Sequence, residues 1–150
     1  MSLNKILRHF LVAAPVVITL GFFIPSHVFA ASLYLSPAQK TLTVGQTFTV
    51  TLEVSSADEE MNAVSADISF PSSKLRVLSL SQTDSIVNFW VQNPTFSNAQ
   101  STGDVLLQGV VLSPGFLGDQ GDVVNIVFQA IARGTASVSF SGFVFVEVCS

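Results

Sequence analysis

The chain has 150 residues, of which 49% are hydrophobic and only 11% are charged, which is enough for one domain with a substantial core. Its formal net charge is −4; without residues 1–30, four Lys and Arg face ten Asp and Glu, a charge of −6. This negative net charge disfavours nucleic acid and anionic membrane surfaces, which both need basic patches on a protein, so neither is expected as a partner.

Residues 1–30 have the three parts of a secretory signal peptide: two basic residues, an apolar run at 10–24 and a small residue at Ala30. Cleavage is therefore predicted between Ala30 and Ala31, leaving one domain at 31–150 that is secreted or held at the cell surface. As an uncleaved helix the apolar run would span about 22 Å, short of the roughly 30 Å hydrocarbon core. A membrane anchor through this leader is therefore the weaker interpretation.

The clearest strand signal follows the turn residues Gly45 and Gln46. Apolar and polar residues alternate strictly from Thr47 to Val54, which indicates a strand with one buried and one wet face, Glu53 being on the wet face. Helix is disfavoured because the β-branched Thr and Val side chains lose rotamer freedom there. Such a strand needs a second layer to cover its apolar side.

The remaining chain predicts further short strands separated by turn signals. They are expected at residues 33–35, 41–44, 63–70, 75–80, 86–91, 104–112, 123–131 and 135–148. Loops are expected at 55–62 and 114–121, and Asn93-Pro94 is expected to end a strand. With turn signals every 8–12 residues and no amphipathic helix, the pattern predicts an all-β fold, an antiparallel β-sandwich of about nine strands.

Residues that carry common catalytic chemistry are missing from the predicted domain. Both histidines, His9 and His27, lie in the leader, so a Ser-His-Asp or Cys-His relay is excluded. The single thiol, Cys149, can form no intrachain disulfide and cannot supply a zinc site. The sequence therefore predicts a protein that is not an enzyme and that needs no cofactor or metal.

Carboxylates offer one alternative to this prediction. The run Asp58-Glu59-Glu60 is typical of a solvated turn. Asp119 and Asp122 lie among glycines, and a flexible loop there could contribute oxygen ligands to Ca²⁺. Their spacing matches no EF-hand, so calcium is the weaker interpretation.

Several motifs also occur in a characteristic order. They are LYLSP at 33–37, TVGQTFTV at 43–50, AVSADISF at 63–70 followed by Pro71, LRV at 75–77, GDVVNIVFQA at 121–130 and GTASVSF at 134–140. This ordered set, over roughly residues 32–145, resembles a cohesin domain, the dockerin-receptor module of cellulosome scaffolds. The resemblance implies a nine-stranded jelly-roll sandwich that binds dockerin helices on one flat sheet face. The family's last strand usually continues past a segment like 141–148, so a C-terminally truncated domain is one interpretation.

The resemblance also selects candidate contact residues. In the cellulosomal type, Asn and Asp occupy the outward positions at the start of the alternating strand; here those positions correspond to Ala63 and Ser65. The predicted partner-binding residues are Ala63, Ser65, Asp67, Ser69 and Gln108. The predicted function is docking of a dockerin-bearing or other extracellular protein, in polysaccharide degradation or cell-surface assembly.

Two other functions remain open at this point. A carbohydrate-binding module of the same fold would use Trp90, Phe89 or Tyr34 to stack on sugar rings. A structural cell-surface or adhesin-type module would only space other domains.

Overall fold

The computed structural model describes residues 31–99, 101–142 and 145–148 of the chain. Its eight strands are β1 (Ser32–Ser36), β2 (Thr47–Phe70), β3 (Leu75–Ser81), β4 (Phe89–Ser97), β5 (Gly103–Val110), β6 (Phe116–Ala130), β7 (Ser139–Phe140) and β8 (Phe145–Val148). The described residues include no helix long and apolar enough to cross a membrane. The predicted leader with Ala30, and Cys149, lie outside these ranges.

The long strand β2 belongs to both layers of the fold. Its first part pairs with β1 on one side and β6 on the other, and its last part pairs with β5 on one side and with β7 and β8 on the other. Strand β3 extends the first layer beyond β6, and β4 extends the second beyond β5. Every pairing is antiparallel, which confirms the predicted antiparallel all-β sandwich.

The prediction of a loop at residues 55–62 is wrong, because this polar segment continues β2. Register shifts fall on both sides of Ser56, where β2 bends from one layer to the other. The hydroxyl of Ser56 donates a hydrogen bond to the carbonyl oxygen of Glu59 inside this bend. Bulges accommodate the polar residues without ending the strand, so the strands predicted at 47–54 and 63–70 are parts of one strand.

Four smaller predictions also differ from the structure. Within the strand predicted at 135–148, the described residues are strand only at Ser139–Phe140 and Phe145–Val148. Residues 41–44 form no strand, and Asn93-Pro94 does not end one but lies within β4. Among the described residues, strand β4 pairs with β5 alone, and this pairing has a register shift between Gln92 and Thr95. Proline is tolerated at such a bulge in an edge strand. Most of the predicted loop at 114–121 belongs to β6, where the ring of Phe116 lies over Gly121 and fills the space a side chain would need.

Three phenylalanine rings contact one another in the core. Phe48 and Phe128 pair across β2 and β6 in the first layer, with ring centroids 5.5 Å apart. Phe70 belongs to the second layer, yet its ring meets Phe128 edge to face at 5.2 Å. The contact shows that the two layers face each other across this cluster. Phe128 is fully buried, as is Ile68, which agrees with the predicted inward faces.

Glu53 is the exception to the predicted wet face of β2, because only 5% of it is exposed. It is flanked by Tyr34 on β1 and by Asp122 on β6. The Tyr34 hydroxyl donates a hydrogen bond to the Glu53 carboxylate, and this bond raises the pKa of Tyr34 above its ordinary value. Burial and the negative charges of Glu53 and Asp122 raise the pKa of Tyr34 further.

The stacked core predicts a large cost for removing the central ring. Phe128→Ala should lower the free energy of unfolding by about 3–5 kcal/mol, because it leaves a cavity between two packed layers. Phe89→Ala makes the same change at a side chain that is 58% exposed, and should cost less than about 1 kcal/mol. Urea unfolding followed by circular dichroism measures both, and similar losses would contradict the proposed core.

The Tyr34–Glu53 hydrogen bond predicts a measurable titration, since Tyr34 is the only tyrosine in the chain. Tyrosinate absorbance should appear above the ordinary pKa of 10.0, and Glu53→Gln should move the transition back toward that value. The pKa of Tyr34 is higher in the folded than in the unfolded protein. Tyr34 therefore contributes to the free energy of unfolding below the unfolded-state pKa, and this contribution is lost as the pH rises through the folded-state pKa. In urea unfolding at alkaline pH, the free energy of unfolding of Tyr34→Phe should not show this decrease, because Phe does not ionise. A transition at or below the ordinary value would contradict the hydrogen bond.

Candidate partner-binding face

All five residues predicted to bind a partner lie on one outer sheet face. On β2, Ala63, Ser65, Asp67 and Ser69 alternate with side chains that are buried in the core. Gln108 of β5 lies directly across from Ser65, because the two residues are register partners. Strand alternation places register partners on the same side of a sheet, so the structure brings these residues together.

The strand register extends this face onto β4. Its four rows, each running from β2 through β5 to β4, are Ser69–Asp104–Ser97, Asp67–Leu106–Thr95, Ser65–Gln108–Gln92 and Ala63–Val110–Phe89. These twelve positions are called the outer face below. The outer face is about 20 Å long, since it covers six residue steps of β2.

The chemistry of the outer face changes from one end to the other. Asp67 and Asp104 make one end acidic, while Val110 and the exposed ring of Phe89 make the other end apolar. Hydroxyl and amide groups occupy the middle. No Lys, Arg or His occupies any of the twelve positions.

The neighbouring segment after β7 partly covers the β2 side of the outer face. The Ser141 N–H donates a hydrogen bond to the Asp67 carbonyl oxygen over 2.9 Å. The backbone of Gly142 lies against the Asp67 carboxylate, so closely that a Cβ atom would not fit. Ser69 donates a long hydrogen bond, 3.5 Å, to the Ser139 carbonyl oxygen. Gln108, by contrast, is exposed to solvent.

Sequence reasoning missed most of the outer face on β4 and β5. Phe89 lies in the strand predicted at 86–91, but Asn93-Pro94 was predicted to end that strand, so Thr95 and Ser97 were not expected on a strand of this face. On β5, buried residues alternate with Asp104, Leu106 and Gln108. This alternation is hard to recognise in the sequence, because most residues around it are apolar. The polar residues Asp104 and Gln108, at even spacing in this run, were the signal that could have indicated one exposed face.

The three aromatic residues considered for carbohydrate stacking do not form one platform. Trp90 is half-buried, packs against the core and lies over Gly109. Phe89, its neighbour, points to the outer face and is exposed. Tyr34 lies in the other layer, where its hydroxyl is hydrogen-bonded to Glu53. A planar row of rings is therefore absent from these positions.

The acidic residues considered for calcium lie on β6 rather than in a flexible loop. Asp119 is exposed and Asp122 is the register partner of Glu53. Within the ranges that the structure describes, no three Asp, Glu, His or Cys residues are grouped so that they could hold a metal ion. These carboxylates instead raise the pKa of Tyr34.

No protein-family model matches the sequence, and no curated protein matches it. Solved structures do match it in fold. The sixth cohesin of scaffoldin B from Acetivibrio cellulolyticus, solved in complex with a Cel5 dockerin mutant, is similar with a TM-score of 0.57 and 16% identity over 79% of this chain and 86% of that chain. CaCohA2 from Clostridium acetobutylicum is similar with a TM-score of 0.58 and 16% identity over 77% of each chain.

A third similar structure is the OlpA cohesin in a type I cohesin–dockerin complex from Clostridium thermocellum. Its TM-score is 0.54, with 14% identity over 73% of this chain and 80% of that chain. At such low identity the similarity carries information about fold only. The chain therefore has the fold of cohesin domains, as the ordered motifs predicted.

Proposed function

We propose that this chain is an exported, non-catalytic binding module that docks a dockerin-type protein on its outer face. The single observation that carries the proposal is that the five predicted contact residues lie together on one sheet face of a cohesin fold. Two of the similar structures were solved as complexes with dockerins, which supports a partner of that kind. Export rests on the signal-peptide pattern of residues 1–30.

The dimensions of the outer face suit a helical partner. A helix rises 1.5 Å per residue, so the roughly 20 Å length accommodates about 13 residues of helix. Phe89 supplies an apolar anchor at one end, and Ser65, Gln108 and Gln92 supply hydrogen-bonding groups in the middle. A central polar row beside an exposed aromatic ring can fix both the position and the orientation of a partner.

Non-catalytic binding also agrees with the residues that the domain contains. Histidine is absent from the sequence after residue 27, and the single thiol is Cys149. Asp67 and Asp104 lie on the outer face in different rows and on different strands, with no basic residue there to pair with them. We place the module in extracellular assembly, either of polysaccharide-degrading enzymes or at the cell surface.

A bulky substitution at the centre of the outer face should block docking. Ser65→Trp should weaken binding of a dockerin-type domain by at least about ten-fold, because the added ring holds the two flat surfaces apart. Trp is well tolerated in strands, so the fold should persist. Thr49→Trp, at an exposed position of β2 in the other layer, is the matched control and should leave binding unchanged.

The measurement is surface plasmon resonance with dockerin-bearing proteins from the source organism, together with urea unfolding of each variant. Absence of binding by the unmodified protein at micromolar concentration would overturn the proposed function. Equal weakening by both Trp variants would place the docking site elsewhere.

The acidic end of the outer face should contact a positive group on the partner. Asp104→Asn should weaken binding about two- to five-fold, and the loss should shrink as salt rises, since exposed charge pairs are worth at most about 1 kcal/mol and are screened. Asp84→Asn is the control, because Asp84 is exposed in the turn after β3 and Asn also tolerates its φ of 63°. Tighter binding by Asp104→Asn would contradict a positive contact.

A further inference from the structure

A groove on the first layer gathers most of the positive charge of this acidic domain. Three of the four basic residues in residues 31–150 line the groove, namely Lys40, Lys74 and Arg133, and the groove volume is about 1160 Å³. No Asp or Glu is among the lining residues. None of the twelve positions of the outer face lines it either, so the groove is a separate surface.

The groove combines an apolar floor with a cationic rim. Phe48, Val50 and Leu75 contribute to the floor and also belong to or pack against the core. Lys40 and Arg133 are exposed at the rim. A surface of this kind matches a ligand that is negatively charged and partly apolar.

Lys74 fixes one wall of the groove. Its ammonium group donates a hydrogen bond to the Thr135 carbonyl oxygen over 2.6 Å. The backbone also closes the wall, since the Ile131 N–H donates to the Lys74 carbonyl oxygen over 2.8 Å. The segment carrying Arg133 is therefore held beside β3, at the wall that Lys74 forms.

We propose that this groove binds an acidic polypeptide segment in extended conformation, with apolar side chains on the floor and carboxylates at the rim. Charge complementarity carries the choice of an acidic partner. Sugar is disfavoured because neither Trp90 nor Tyr34 lines the groove. The volume slightly exceeds the range of about 300–1,000 Å³ typical of small-molecule pockets, which favours a chain segment.

The edge of β1 supports an extended conformation. Leu35, near the end of β1, lines the groove, and β1 pairs with β2 but with no other strand among the residues described. A peptide laid along such an edge can add main-chain hydrogen bonds while alternate side chains enter the groove. Affinity then comes from the backbone and apolar contacts, and selectivity from the three cations.

Fluorescence anisotropy of the purified protein with three labelled peptides tests this proposal. The peptides, of roughly ten residues to span the groove, alternate Val with Glu, with Gln or with Lys. The Glu peptide should bind saturably, about five- to ten-fold tighter than the Gln peptide, and the Lys peptide should bind weakest. Raising salt from about 0.1 M to about 1 M should remove the difference, because the Debye length falls from roughly 10 Å to roughly 3 Å.

The double variant Lys40→Gln with Arg133→Gln should weaken binding of the Glu peptide about five- to ten-fold, since both side chains are exposed and their removal leaves the core intact. Arg76→Gln is the matched control, because Arg76 is exposed on β3 and does not line the groove. Equal binding of the three peptides, no binding of the Glu peptide, or equal effects of the double variant and the control would overturn the proposal. Sedimentation showing a dimer that the double variant dissociates would also overturn it, in favour of a second copy as occupant.

Discussion

The contact between Phe70 and Phe128 is the constraint on which the rest of the structure depends. Phe128 stacks on Phe48 within one layer and meets Phe70 of the other layer edge to face, so one fully buried ring joins both layers. Aromatic pairs of this geometry add to the free energy of burying their area. Because Phe48 and Phe70 are the second and last residues of β2, the same strand must run through both layers.

This path of β2 determines which surfaces are free. Once Ile68 and Phe70 point to the core, strand alternation leaves Ser65, Asp67 and Ser69 on the outside. Pairing with β5 then fixes Gln108 beside Ser65, and pairing of β5 with β4 fixes Phe89 at the apolar end. A slip of one residue in the core would turn the entire polar set inward, so the core packing and the residues of the outer face are specified together.

The features that could be predicted from the sequence are those that follow from the alternation of apolar and polar residues. Alternation in residues 47–54 and 63–70 was sufficient for the buried faces of β2, and with the ordered motifs it led to the correct fold. The bulges could not be recognised from the sequence. The polar residues around Ser56 resemble a loop but lie in β2, and Pro94 resembles a strand end but lies in β4. Burial of Glu53 was also unpredictable, since it depends on Tyr34, a partner on a different strand. The local alternation of residues specifies which face of a strand is buried. The pairing of strands that are distant in the sequence specifies which side chains each face contacts.

Charge separation gives the two proposed surfaces different partners. The outer face holds Asp67 and Asp104 without a basic residue, while the groove holds Lys40, Lys74 and Arg133 without an acidic one. A partner segment that suits one surface is repelled by the other, because like charges placed opposite each other cost free energy. With only 11% charged residues in the chain, this segregation of charge is a clear difference between the two surfaces. The two proposals therefore differ in the partner charge that they require: a positive contact group for the outer face and an acidic segment for the groove.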